Sequence, residues 1–472
     1  MFRTAGDRPS LWESQLPTEV LRLPGELARV DALLDDPAFF EPFRPFFHPV
    51  LGRPSTPVEC YLRLMFLKFR YRLGYERLCA EVGDSVSWRR FCRIPLDGKV
   101  PHPTTLMKLT TRCGPGAVAG LNEALLAWAA GRRLLRAARV RADTTVIPTN
   151  VAYPTDSGLL ARAVGKLVRT ARRVQAAGGA TGTVMTDRRR AAARRVREIA
   201  GKLRSRGKLS REESTRVIRR VTAELAGLAE MAAAEAAAVL RNGRRALPRA
   251  LTGRVRGRLR RALDELAVAI ERTATVIAQA RSRLAGTMPD GATRLVSLHD
   301  PDARPIRKGR IDRPVEFGYK AQVTDNDDGV VLDYAVEYGA VPDGPQLVPA
   351  ITRIARRAGR VPAAVTADRG YGQPAVEQGL RDLGVQVVAI PRQAATSPSR
   401  KAAEHSREFR ALVKWRTGCE GRISYLKRGY GWDRTLLDGK TGAAIWCGHA
   451  VLAHNLVKVS ALAASLISVW RQ

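Results

Sequence analysis

Apolar and polar positions keep several rhythms along this chain, and each predicts a different kind of structure. From Val58 onward, Tyr61, Leu62, Met65, Phe66 and Phe69 recur at three- and four-residue intervals, with Arg63, Lys68, Arg70 and Arg72 between them. That is the period of a helix with one buried face. Breaks at Gly74-Tyr75, Gly83-Asp84 and Pro101-His102-Pro103 divide residues 55–130 into several basic helices. Thr104 or Thr105 is placed to cap the helix that carries Leu106, Leu109 and Thr110. Basic helices joined by tight turns suggest a helix-turn-helix-like DNA-binding module. Residues 1–54, with frequent prolines and with Phe39, Phe40, Phe43, Phe46 and Phe47 close together, read as an arm packed on the body by its aromatics.

At Val140 the rhythm changes. The run Val140-Arg141-Ala142-Asp143-Thr144-Thr145-Val146-Ile147, closed by Pro148, is β-branched and short, and predicts a strand. Strands over 317–323 and 330–336 form a hairpin around Asn326-Asp327-Asp328-Gly329. A helix over 346–357, a strand over 363–368, a helix over 374–383 and a strand over 385–390 follow. A long helical stretch then runs from near Glu404 through the 420s, and two apolar helical stretches finish the chain. This order predicts an α/β fold, a mixed sheet covered by helices, compatible with a ribonuclease-H-like architecture carrying an insertion.

The insertion has its own texture. No Phe, Tyr or Trp occurs between Tyr153 and Phe317, and residues 158–287 hold 31 Lys/Arg against 10 Asp/Glu. Its mixture of Ala, Leu, Val and Arg favours helix, with breaks at Gly178-Gly179, Gly207 and Gly243. We expect a helical insertion between the first two strands, with basic faces that contact phosphate. The expected divisions are an arm over 1–54, a helical DNA-binding domain over 55–135, the first catalytic strand region over 136–157, the insertion over 158–287, the rest of the catalytic domain over 288–435 and a C-terminal helical segment over 436–472.

Composition sharpens this picture. Across 472 residues, 80 Lys/Arg stand against 45 Asp/Glu, a net charge of +35, of which the insertion supplies +21. Such an excess repels itself and is usually matched by a polyanionic partner, here nucleic acid. Six cysteines form no C-x-x-C, so neither a zinc ribbon nor a disulfide framework is indicated, and free thiols in a reducing compartment are expected. The start, MFRTAGDRPSLWES, has no apolar leader, and His449, His454, Asn455 and Lys458 interrupt the most apolar stretch. A packed helix fits that stretch better than a membrane span. The expected setting is cytoplasmic, at the nucleoid, with no membrane partner.

Three carboxylates fall where phosphodiester chemistry needs them. Asp143 lies inside the first strand, Asp368 ends the fourth and Glu420 lies on the helix after the fifth. Asp143 and Asp368 sit in apolar strand contexts, where an uncompensated carboxylate is costly and a metal would neutralise it. Cleavage by two Mg²⁺ requires hard oxygen ligands on a rigid support. Arg416, Glu420 and Lys427 share one helical face, setting a carboxylate among cations for phosphate. Gly418 and Gly421 permit close approach of a DNA backbone or mark a kink. Lys320, Arg369 and Arg422 are further candidates for phosphate contact. Asp156, Asp300, Asp302 and Asp433 read as turn or cap residues, His449 and His454 as satisfied helix histidines, and Trp432 and Tyr430 as core aromatics. Gly439-Lys440-Thr441 mimics the end of a Walker motif, but Arg434 stands at the first glycine position, so no nucleotide cofactor is expected.

The segment Arg416 to Lys427, R-x₃-E-x₆-K, resembles the end of the Y-x₂-R-x₃-E-x₆-K signature of bacterial insertion-sequence DDE transposases, with Val413 where the tyrosine is expected. ADTTV around Asp143, YPTDSGLL from Tyr153, EFGYKAQV from Glu316, TADRGY from Thr366 and CEGRISYLKRGYGWDR from Cys419 resemble the group of these enzymes formerly filed as not yet classified. The helical segment from Ser55 resembles their N-terminal domain. The resemblance implies that Asp143, Asp368 and Glu420 form a metal-binding catalytic triad. It also implies two Mg²⁺ per site (Mn²⁺ able to stand in), cleavage of double-stranded transposon ends, transfer of the freed 3′-hydroxyl to target DNA, and a homodimer that brings two ends together. The rival readings are a ribonuclease-H-like nuclease or resolvase without strand transfer, and a non-catalytic DNA-binding derivative.

Overall fold

The computed structural model describes residues 1–4, 6, 12–151, 153–204, 211–249, 252–308, 314–393 and 397–469. The chain divides into two compact units, Met1–Asn150 with Tyr319–Gln472, and Val151–Gly318.

The first unit is built on a sheet. Its strands are β1 (Arg139–Pro148), β3 (Val315–Asp325), β4 (Val331–Tyr338), β5 (Ala364–Ala367) and β6 (Val387–Ala389), in spatial order β4-β3-β1-β5-β6. β3 and β4 are antiparallel, and β1, β5 and β6 are parallel. This is the mixed sheet of a ribonuclease-H-like fold. A short strand that the sequence pattern did not announce, β2 (Arg304–Arg307), pairs with residues 315–318 at the start of β3, within the second unit. β1 is central and buried over most of its length, in keeping with the β-branched residues Val140 and Thr144 to Ile147 that it carries.

Helices Val58–Arg70, Tyr75–Asp84, Val86–Phe91 and Pro103–Gly131 precede the sheet. The cap of the last is His102, whose ring accepts from the Thr104 amide, and not Thr104 or Thr105. That helix kinks at Gly114 (φ 64°) ahead of Pro115, which has no N–H to continue the ladder. Phe39, Phe43 and Phe47 of the N-terminal residues are buried in the same core. Arg63, fully buried, binds Asp31 and Asp35 at 2.7 Å each and ties the Gly25–Leu34 helix to this core.

The chain ends in one helix, Gly439–Val469, where the sequence suggested two. Asn455 replaces a missing strand neighbour beside β4: its Oδ1 accepts from the Val331 amide at 2.9 Å and its Nδ2 donates to the Val331 carbonyl at 2.8 Å. Trp432 and Tyr430 are buried core residues, and the Trp432 indole donates to the Cys447 carbonyl at 3.3 Å. His449 and His454 are buried but incompletely satisfied. His449 stacks on Phe69 and leaves Nε2 without a partner, whereas His454 shares Nε2 with the Gly329 carbonyl and leaves Nδ1 without one. All six cysteines are free. Among the described residues no helix is long and apolar enough to cross a membrane.

The second unit is helical, with long helices Asp156–Ala176, Arg189–Arg204, Arg211–Ala246 and Gly253–Leu284. Its core is mainly alanine, leucine and valine without an aromatic, with Leu225, Ala229, Ala232, Ala236 and Val239 buried at alternating four- and three-residue steps. Gly243 does not break its helix. A Cβ there would lie 2.7 Å from Leu263 and 3.0 Å from Val174, so its smallness lets the helices approach. The expected break at Gly207 lies outside the described residues. Asp156 stands in the first turn of its helix, capped by Thr155, and pairs with Arg283 at 2.7 Å.

Candidate active site

Two carboxylates stand side by side where β1 and β5 stop pairing. The parallel register runs from Arg139–Ala364 to Ala142–Ala367, so Asp143 and Asp368 are the next residues on their strands. Adjacent strands lie about 4.8 Å apart and laterally paired residues share a face, which puts both carboxyls on the same side of the sheet. Asp143 accepts from the Thr144 amide at 2.8 Å, and Asp368 accepts from the Gly370 amide at 2.7 Å, capping the short turn Arg369–Tyr371. Burial pushes the Asp143 carboxyl up to about 6; the Thr144 amide and Arg416 oppose this, and the charges of Asp368 and Glu420 reinforce it. Asp368 is also raised, first by burial and then by Asp343, against the Gly370 amide, Arg416 and Lys320.

Glu420 comes from the Arg407–Tyr430 helix, and one guanidinium joins it to the sheet. Arg416 Nη1 lies 3.0 Å from Asp143 Oδ2, and Nη2 lies 2.9 Å from Glu420 Oε1. Glu420 remains 60% exposed. Lys427 sits about 10 Å further along the same helix, by the helical rise. It is half-buried, and its charge acts on Cys447 of the C-terminal helix.

A buried ion network sets the position of this helix. Arg141 Nε and Nη2 bind both oxygens of Asp325 at 2.7 and 3.1 Å, and its Nη1 donates to the Trp415 carbonyl at 2.8 Å. Arg422 Nε reaches the same Asp325 at 3.3 Å. A Cβ on Gly418 would collide with the Arg141 guanidinium. Gly418 therefore gives passage to an arginine of β1 and marks no kink; the helix is continuous through Gly418 and Gly421.

The remaining predicted cations are all engaged. Lys320 Nζ lies 2.6 Å from Asp343 and donates to the Val341 carbonyl at 2.9 Å. Arg369 is exposed but holds the Arg392 and Gln393 carbonyls at 2.8 and 3.0 Å. Arg422 is committed to Asp325, as above. Asp433 pairs with Arg72 at 2.7 Å, and Lys440 with Glu337 at 2.7 Å.

Sequence reasoning passed over Asp343, which reads as part of a Pro-Asp-Gly-Pro turn. A Cβ on Gly370 would lie 2.8 Å from Asp368 Oδ1 and 2.9 Å from Asp343 Oδ2, so glycine at 370 is what allows the two carboxylates to close on one point. No periodicity announces such a contact; only a glycine after the Asp368-Arg369 pair hints at it.

Among the described residues no group of three or more His, Cys, Asp or Glu is set at metal-binding geometry, and Arg416 occupies one oxygen each of Asp143 and Glu420. The donor set nevertheless suits a hard cation. Two carboxylates with one amide donor each, Asp143 buried and Asp368 half-buried, are raised by desolvation and by neighbouring negative charge, and carry an excess of charge that a divalent ion relieves.

The chain matches the family model of a transposase domain (DUF772) over residues 15–112 and that of the transposase DDE domain over residues 295–456. It belongs to the insertion-sequence DDE transposases. Asp368 and Glu420 lie inside the second match, whereas Asp143 and almost all of the helical unit lie outside both. The chain is similar to the uncharacterized protein ORF8 in the nfe locus of Rhizobium meliloti, at 30% identity over 159 residues, covering 31% of this chain and 73% of that protein. No solved structure matches. As a DDE transposase the protein is an enzyme of DNA cleavage and transfer, acts on DNA, and belongs to a family that uses divalent metal.

Proposed function

We propose that Asp143, Asp368 and Glu420 are the catalytic triad of this transposase and hold two Mg²⁺ through their carboxylate oxygens. The observation that carries this reading is the adjacency of Asp143 and Asp368 at the end of the β1–β5 pairing, with Arg416 linking Asp143 to Glu420. When bound, the metal pair would supply Lewis-acid activation of water and then of a DNA 3′-hydroxyl. The chain's own residues do the rest. Thr144 and Gly370 amides orient the two sheet carboxylates, and the Arg141–Asp325–Arg422 network fixes the height of the helix that brings Glu420. Arg416 keeps Asp143 and Glu420 from separating and offers a guanidinium to the scissile phosphate; Lys427 adds charge further along the DNA path. Lys320, held by Asp343, acts on Asp368 through the field it sets and not through phosphate contact. The reaction runs in the cytoplasm, in a dimer that pairs two transposon ends.

Mn²⁺ titration followed by electron paramagnetic resonance tests the ligand set without relying on turnover. Asp143→Asn and Asp368→Asn should each weaken tight Mn²⁺ binding by tenfold or more while leaving the circular dichroism spectrum unchanged. Retention of full Mn²⁺ affinity in either variant removes that residue from the triad. Lys427→Ala should slow cleavage of a transposon-end duplex more than it weakens binding to it; equal losses would assign Lys427 to general DNA binding.

A further inference from the structure

One end of the helical unit carries +9 of the +21 net charge of residues 158–287, with no acid among its cations. Residues 241–261 hold nine arginines and no Asp, Glu or Lys. Those described lie at the end of the Arg211–Ala246 helix, in the short turn of helix Leu247–Arg249 and at the start of the Gly253–Leu284 helix. Arg241, Arg244, Arg245, Arg254, Arg258 and Arg261 are all exposed, and among the described residues none of these six side chains has an ion-pair or hydrogen-bond partner. Elsewhere in the same unit, acids and bases answer one another between helices. Glu235 holds Arg188 at 2.7 Å, Glu265 holds Lys166 at 2.7 Å, and Glu230 holds Arg281 at 2.9 Å.

Two further features make the tip unlike an ordinary solvated face. First, arginines occupy the N-terminal turns of the Gly253–Leu284 helix, which has no acidic residue in its first turn. Cations at that end oppose the helix dipole, so they are held there against the local preference. Second, the backbone beneath them is rigid. Leu259 and Leu263 are buried, and Cβ atoms on Gly179 and Gly243 would lie 2.5 and 2.7 Å from those leucines. The guanidiniums thus stand on a close-packed platform. Every cation in this segment is arginine, whose planar fork matches phosphate oxygens, where lysine offers only a point charge.

We infer that the exposed arginines of this tip, Arg241, Arg244, Arg245, Arg254, Arg258 and Arg261, form a DNA-backbone clamp: they bind the phosphates of duplex DNA without reading base sequence, as a contact additional to the catalytic site. The ligand chemistry is the duplex phosphate backbone, and the duplex is either the transposon end or the target. The inference rests on the protein being a transposase only for the kind of nucleic acid involved; the geometry of the tip is independent of the triad.

The test uses the full chain carrying Arg244→Gln, Arg245→Gln, Arg254→Gln, Arg258→Gln and Arg261→Gln. Fluorescence anisotropy without divalent metal, over a range of KCl concentrations, reads binding to a duplex carrying the element's end and to an unrelated duplex. Because no catalysis is involved, failure of the triad assignment leaves the result interpretable. The slope of log affinity against log salt should shrink by about one for each guanidinium that touches phosphate. The melting temperature should hold or rise, since charges opposing a helix dipole have been removed. Loss on both duplexes indicates a general clamp, loss confined to the end-bearing duplex assigns the tip to the transposon end, and loss confined to the unrelated duplex assigns it to the target. If the five-site variant aggregates, R254Q/R258Q carries the same test with a slope change of about two. Wild-type affinity and slope on both duplexes overturns the inference. So does a loss seen only with single-stranded RNA or with vesicles of anionic phosphatidylglycerol.

Discussion

The sheet unit and the helical unit use arginine in opposite ways. In the sheet unit, arginines are taken inside and matched. Arg63 meets Asp31 and Asp35, Arg141 meets Asp325, and Arg353 and Arg357 share Asp333 at 2.7 and 3.1 Å. Each of these links two different elements, and each keeps two charges only because both are paired. In the helical unit the core is alanine and leucine, the charge is outside, and one end carries cations with no acid among them. The difference teaches that a net charge of +35 is not one property. Part of it is structural reinforcement that a ligand never meets, and part is available to a polyanion.

Removing triad carboxylates should separate catalysis from this binding charge most sharply. Asp143→Asn, Asp368→Asn or Glu420→Gln is expected to lower transposon-end cleavage by on the order of 10³-fold or more, since each takes away several kcal/mol of transition-state stabilisation. Filter binding should show duplex affinity changed by less than threefold. A triad variant that still cuts at near wild-type rate would break the assignment of that residue.

Next in size is the buried network. Asp325→Ala leaves Arg141 and Arg422 without their carboxylate, and breaking a buried pair on one side costs about 3–5 kcal/mol. Urea denaturation should report that loss, and cleavage should fall with it because the Glu420 helix is no longer held at its register. If Asp325→Ala melts like the wild type, burial of these charges is not what sets the helix.

Core substitutions should distinguish the two units by sign of volume change. Phe91→Ala in the sheet unit removes a fully buried ring, at about 3–5 kcal/mol. Ala229→Leu in the helical unit instead overpacks a seam built for small residues, at about 1–3 kcal/mol. Calorimetry resolves which transition each variant lowers; equal effects of both on a single transition would show that the units do not melt separately.

The smallest expected effect concerns pH. Burial holds the His449 and His454 rings down at about 3, against an ordinary value of 6.5. The unfolded chain takes up protons near 6.5 and the folded chain does not, so the stability of the sheet unit is full above that pH and declines as pH falls from 6.5 towards 3. His449→Gln combined with His454→Gln should flatten this part of the stability–pH curve, measured by denaturant midpoints across the interval. An unchanged slope would show that other groups carry it.

Much of this was legible in the chain. β-branched runs are strands because their side chains fill both faces of a central sheet, and the order of strands and helices was compatible with the architecture found. Asp143 and Asp368 could be singled out because a carboxylate in an apolar strand is conspicuous at one dimension, and Glu420 because it shares a helical face with Arg416 and Lys427. The alanine and arginine content set the helical unit apart, and the absence of acids over 241–261 was countable. What the sequence did not contain was which charge meets which. Asp343 closing on Gly370, Arg416 reaching Asp143, and Gly418 yielding to Arg141 are contacts across 27, 273 and 277 residues. Local period and propensity describe a residue and its near neighbours. Pairing of buried charge depends on which elements the sheet register and helix packing bring within a few ångströms, and that was decided only in three dimensions.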